Sequence, residues 1–157
     1  MSDAVTEPTS DEVIRWHRTM GPILFNHAWK LMDDAARSAD DEDTLLAAAF
    51  GQRYHWYLVG TAVNKAIADW QVARVAALLG YAELADRFGR LSLRMCEDHD
   101  LPPFYRGYAH EAIARAADVM DDRQTRDQHV LAAREVLPQI EDEQERAMLD
   151  ADVQMIC

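Results

Sequence analysis

Cysteine, cations, glycine, proline and long apolar runs are all scarce in this chain of 157 residues, and each scarcity excludes something. Two cysteines, Cys96 and Cys157, are too few for a disulfide framework. They read as free thiols in a reducing compartment, so the expected location is cytoplasmic. Only 16 Lys and Arg stand against 28 Asp and Glu, a formal net charge of −12. Such a surface repels phosphate backbones and anionic membranes, so neither nucleic acid nor membrane is expected as a partner. No run approaches the roughly 18 apolar residues of a spanning helix. The opening MSDAVTEPTSDE has neither the cationic start nor the apolar stretch of a signal peptide.

Catalytic and cofactor signatures are missing as well. The chain contains no GxGxxG, P-loop, GxSxG, CxxC, HExxH or ExxH pattern. Cys96 and His99 lie three residues apart, with His110 and Glu111 beyond the next turn. This is a zinc-like set of residue types without zinc-ligand spacing, so no metal and no cofactor are expected. Period-2 alternation and Asn-Gly hairpin turns are also absent, which excludes an extensive sheet.

What is present is helical periodicity. Residues 1–8 are expected to form a disordered tail and residues 9–157 a single domain. Thr9 and Glu12, at capping-box spacing, open a predicted short helix that stops at Gly21-Pro22. Six helices follow at about 22–38, 43–58, 62–79, 82–98, 104–120 and 123–138, with another near 141–155. Leu84, Phe88, Leu91 and Met95 form one apolar stripe, Phe25, Ala28, Met32 and Ala35 a second, and Val130, Ala133 and Leu137 a third. The acidic runs "DDED" and "MDD" fall at helix starts or turns, where Asp caps helices.

Helices of this length on short connections pack as antiparallel hairpins. A degenerate internal repeat places small residues Ala73, Ala85 and Ser92 around Gly80, and Ala114 and Ala133 around Asp121. Its spacing exceeds the roughly 34 residues of a tetratricopeptide repeat (TPR), the excess lying in "DHDLPPF". The fold class is therefore all-α, a TPR-like α-α superhelix of six to seven helices. The last helix carries Ala147, Met148, Ala151 and Met155 on one side, a face that either caps the stack or pairs with a second copy as a homodimer.

Two blocks, "YHWYLVGTAVNKAIADWQVARV" at 54–75 and "CEDHDLPPFYRGYAHEAIARA" at 96–116, resemble a family of uncharacterised bacterial TPR-like proteins. The resemblance implies an α-α superhelix and draws attention to His55, Trp56, Asn64, Trp70, Arg74, Glu111 and Arg115.

Helix geometry selects an overlapping set. Trp70 and Arg74 share one helix face, and Tyr108, Glu111 and Arg115 share another. In a hairpin stack these faces lie side by side on the concave surface. An Arg pair there grips a carboxylate or phosphate while aromatics stack on an apolar body; alternatively, Glu111 and Arg115 are an ordinary ion pair. His55 is either a general base or an interfacial His packed on Trp56. The first functional reading is a TPR-like binding module holding a peptide segment or a small anionic ligand through His55, Asn64, Trp70, Arg74, Tyr108, Glu111 and Arg115. The alternative is a metal-independent enzyme acting on a small metabolite, with His55 and Glu111 as acid-base groups.

Overall fold

Ser10, Ser38, Thr61, Asp122 and Asp142 each turn a side-chain oxygen onto a free backbone N–H, and each starts a helix. At Ser38 and Thr61 the cap is a reciprocal box, closed by Asp41 and Asn64. The computed structural model describes residues 10–156. Its helices are α1 (Asp11–Met32), α2 (Ala39–Val59), α3 (Ala62–Leu78), α4 (Ala82–Asp98), α5 (Pro103–Val119), α6 (Arg123–Val136) and α7 (Glu143–Gln154). A 3₁₀ turn, Leu137–Gln139, joins the last two, and no strand occurs among the described residues. The tail expected at residues 1–8 lies outside them.

Three turns share one closure. Gly80, Asp100 and Asp121 have positive φ (83°, 47° and 55°). The next residue in each case sends its N–H back to a carbonyl five positions earlier: Tyr81 to Ala76, Leu101 to Cys96, Asp122 to Ala117. Gly80 and Asp121 are the turn positions of the internal repeat, and aspartate is among the few non-glycine residues that tolerate this conformation.

The first helix corrects the sequence reading. Instead of stopping at Gly21-Pro22, α1 runs through both as one helix of 22 residues capped by Ser10. Gly21 is there for contact: a Cβ would meet the Trp56 ring at 2.6 Å. Pro22 is exposed and sits in the middle of that helix, so packing against α2 overrides the breaker signal. The far end corrects too, since α1 ends at Met32, before Ala35. The Arg37 guanidinium then donates to the carbonyls of Leu31, Met32 and Asp34 and holds the turn into α2.

The helices pack as consecutive antiparallel hairpins, α1–α2, α3–α4 and α5–α6, with α7 against α5 and α6. Small residues make the close approach possible: Ala73, Ala85, Ala114 and Ala133 are completely buried, and Ser92 is nearly so. Phe88 packs edge-on to Phe50 in the core of the first two hairpins. Two buried glutamines cross-tie the stack, Gln52 donating to the Ala68 carbonyl and Gln71 to that of Phe25. In α7 it is Leu149 and Val153, with Ile156 just beyond, that close the stack. Ala147, Met148, Ala151 and Met155, the stripe offered by the sequence for that task, are exposed. The odd-numbered helices contact one another in succession, α1 with α3, α3 with α5 and α5 with α7, and so form one surface of the stack.

Candidate ligand-binding cleft

Each odd helix contributes side chains one turn apart to that common surface. From α1 come Phe25 and Trp29, from α3 Ile67 and Trp70, from α5 Phe104 and Tyr108, and from α7 Met148 and Asp152; together they wall a cleft of about 360 Å³. Its rings form an unbroken series. Phe25 meets Trp29 at 6.4 Å between centroids, Trp29 meets Trp70 at 5.8 Å, and Trp70 meets Tyr108 at 5.3 Å. Phe104 follows at 5.0 Å from Tyr108, and Tyr105 at 5.5 Å from Phe104. Ser92 of α4 also reaches the lining, with its hydroxyl bonded to the Ala66 carbonyl at 2.9 Å.

Charged groups back this wall, and their charges cancel. Glu111 is completely buried. It accepts from Arg74 at 3.2 Å, from the Trp70 indole N–H at 3.3 Å and from Arg115 Nε at 2.7 Å, with Arg115 Nη2 closer still. Arg74 extends its other nitrogen to Asp152 at 3.4 Å, and Tyr108 donates its hydroxyl to the same carboxylate at 2.8 Å. Burial, reinforced by the Asp152 hydrogen bond, pushes the Tyr108 phenol well above its ordinary range, so it remains a donor. Two guanidinium groups thus face two carboxylates, and neither Arg lines the cleft.

Of the residues singled out in the sequence, the structure brings Trp70, Arg74, Tyr108, Glu111 and Arg115 together. Two others lie elsewhere. Asn64 closes the α3 capping box, its side chain accepting from Thr61 N at 3.0 Å and Thr61 Oγ1 at 2.9 Å. His55 pairs with His17, ring nitrogen to ring nitrogen at 2.7 Å, beside Trp16 and Tyr54. Burial, then the charge of His17, lowers its pKa. Its cluster shares no member with that of Glu111, so an acid-base couple of His55 and Glu111 has no geometric basis. Trp56, to which the resemblance drew attention, is half-buried under Gly21 and Gly60.

The thiol and imidazoles considered for metal are also separated. Cys96 is buried, its thiol pushed up to about 12 chiefly by burial, whereas His99 is exposed. His110 pairs with His129 of α6 at 2.9 Å. Among the described residues no three His, Cys, Asp or Glu converge as a metal group.

Sequence reasoning missed Asp152 and most of the aromatic wall. A signal existed: Phe25–Trp29, Phe104–Tyr108 and Met148–Asp152 are each four residues apart on odd-numbered helices. It also missed Asp69, a fully buried acid inside the apolar run "AIADWQV". Asp69 accepts from Arg53 at 2.5 Å and from the Tyr57 hydroxyl. Burial raises its pKa against the opposing pull of those donors, and it pushes the Tyr57 phenol up to about 12.

No family model, curated protein or solved structure matches the chain. Among the described residues no helix is long and apolar enough to cross a membrane.

Proposed function

We propose that this protein is a binding module of TPR-like design whose cleft holds a small molecule by its apolar body. The observation that carries the reading is the aromatic cleft between the odd helices, with a single carboxylate in its lining. Its size suits a small ligand. A peptide groove would instead spread its contacts along an open helix face.

An anionic occupant, one of the two partners expected from the sequence, is disfavoured by the same geometry. Arg74 and Arg115 are already paired to Glu111 and Asp152, and an incoming anion would meet Asp152 itself. The enzyme alternative is disfavoured by the separation of His55 from Glu111, because acid-base work needs both groups within reach of one substrate.

The experiment is native mass spectrometry of the purified protein, followed by thermal-shift screening with small aromatic and aliphatic probes. Ile67→Trp, which fills the cleft from α3, should abolish retention and stabilisation while circular dichroism stays unchanged. Probes that stabilise the variant as well as the parent protein bind elsewhere and refute the reading.

A further inference from the structure

We infer that the cleft receives an organic cation, an alkylated ammonium group carried on an apolar body. This rests on the reading of the cleft as a ligand site and adds the charge and chemical class of the ligand.

Three observations converge. First, the rings are set as differently oriented walls. The Phe25–Trp29, Trp70–Tyr108, Phe104–Tyr108 and Phe104–Tyr105 pairs are edge-to-face, with interplanar angles of 70°, 73°, 77° and 75°. Aromatic faces are the negative side of the ring quadrupole, and faces turned several ways around one volume attract a cation from several sides. Second, Asp152 is the sole charged residue of the lining, which contains no Lys or Arg. Third, the neighbouring cations are held in place. Arg74 lies 5.6 Å from the Trp29 centroid and 5.7 Å from that of Trp70, and it is fixed there by Glu111 and Asp152. Arg74 thus takes one side of these two indoles, and the carboxylates beside it offset its charge, so that it does not repel a cation in the cleft.

Alkylation matters for a physical reason. A bare ammonium is strongly hydrated and needs several acceptors when it leaves water. Here Asp152 is already engaged by Arg74 and Tyr108, the Ser92 hydroxyl is bonded to the Ala66 carbonyl, and the other walls are apolar or aromatic. A trimethylammonium spreads its charge over methyl groups that pack on ring faces without requiring hydrogen bonds. The net charge of −12 adds a long-range attraction for cations.

The test compares choline with 3,3-dimethylbutan-1-ol, which has the same shape without the charge, by calorimetric titration of the full chain. Choline is expected to bind roughly tenfold more tightly, the scale of a partly desolvated cation–π site. Asp152→Asn should weaken that preference, because it takes away the one carboxylate of the lining. Asp69→Asn, which lies in a separate network, should leave it intact. If the neutral isostere binds as tightly as choline, the inference is overturned while the cleft remains an apolar binding site. If neither probe binds at millimolar concentration, both readings fall. A choline preference unaffected by Asp152→Asn overturns the assignment to this cleft.

Discussion

Two buried carboxylates on neighbouring odd helices, Asp69 of α3 and Glu111 of α5, are built alike and do different work. Both are completely buried, and each is clamped by arginine and by one aromatic donor: Arg53 and Tyr57 for Asp69, Arg74, Arg115 and Trp70 for Glu111. The Asp69 network joins α2 to α3, and its Arg53 lies over the Phe88 ring of α4 in the core, away from the cleft. The Glu111 network joins α3 to α5 and continues through Arg74 to Asp152 of α7, in the cleft wall. A buried charge pair is weak evidence of stabilisation, because desolvation offsets most of its attraction. What separates the two networks is therefore connectivity: one fastens a helix junction, and the other sets the charge and shape of a cavity.

Substitutions should separate these roles. Glu111→Gln should have the largest effect, a destabilisation of about 3–5 kcal/mol, because it leaves the partly buried Arg115 without its carboxylate and Arg74 with Asp152 alone. It should also abolish ligand retention. Asp69→Asn should cost less, about 1.5–3 kcal/mol for lost charged hydrogen bonds, since it strands one guanidinium where Glu111→Gln disturbs two. Retention in the cleft should survive. Denaturant melts read beside native mass spectrometry check both, and loss of ligand in Asp69→Asn would erase the distinction.

Arg74→Gln should be milder than either, about 1.5 kcal/mol, because Glu111 keeps Arg115 and Trp70. The Arg74→Gln/Glu111→Gln double variant should destabilise by less than the sum of the singles, by about 0.5–3 kcal/mol. Strict additivity would mean that the two side chains are not coupled.

The effect that is smallest at neutral pH concerns the residue before Glu111. His110 faces His129 of α6, with Arg106 on its own helix; Asp86 and Arg90 of α4 also act on His129. Burial, then the charges of His129 and Arg106, lowers the His110 pKa to about 4 from 6.5. The folded state therefore resists a proton that the unfolded chain accepts. Stability should be level above pH 6.5 and fall as the pH drops from 6.5 toward 4. Melting temperatures across that window should decline less steeply in His110→Gln. An unchanged slope would show that this imidazole does not titrate as its surroundings require.

The architecture was largely legible in the sequence because stripes of apolar and small residues repeat at helical spacing, as at Phe88 or Ala133, although the start expected near residue 43 misses the Ser38 cap that opens α2 at Ala39. Elsewhere legibility failed where a tertiary contact had replaced a local rule. Gly21-Pro22 reads as a stop, yet α1 passes through it to seat against Trp56. The site was half legible. Trp70–Arg74 and Tyr108–Glu111–Arg115 could be found because helix spacing alone aligns them. His55 and Asn64 looked equally polar and well placed, but their uses are local, a His–His contact and a helix cap. Asp152 was harder to find: its spacing from Met148 puts both on one face of α7, but its role depends on α7 folding back onto α5, a long-range contact.

The central claim is that small ligands enter between the odd helices, and the four tryptophans test it most directly. Trp29 and Trp70 line the cleft, whereas Trp16 lies beside the His17–His55 pair and Trp56 lies under Gly21. Each indole N–H gives its own signal in a nitrogen–proton correlation spectrum. Titration with 3,3-dimethylbutan-1-ol or choline should move the Trp29 and Trp70 signals and leave those of Trp16 and Trp56 in place. Movement confined to Trp16 and Trp56, or no movement at any of the four, would contradict the account.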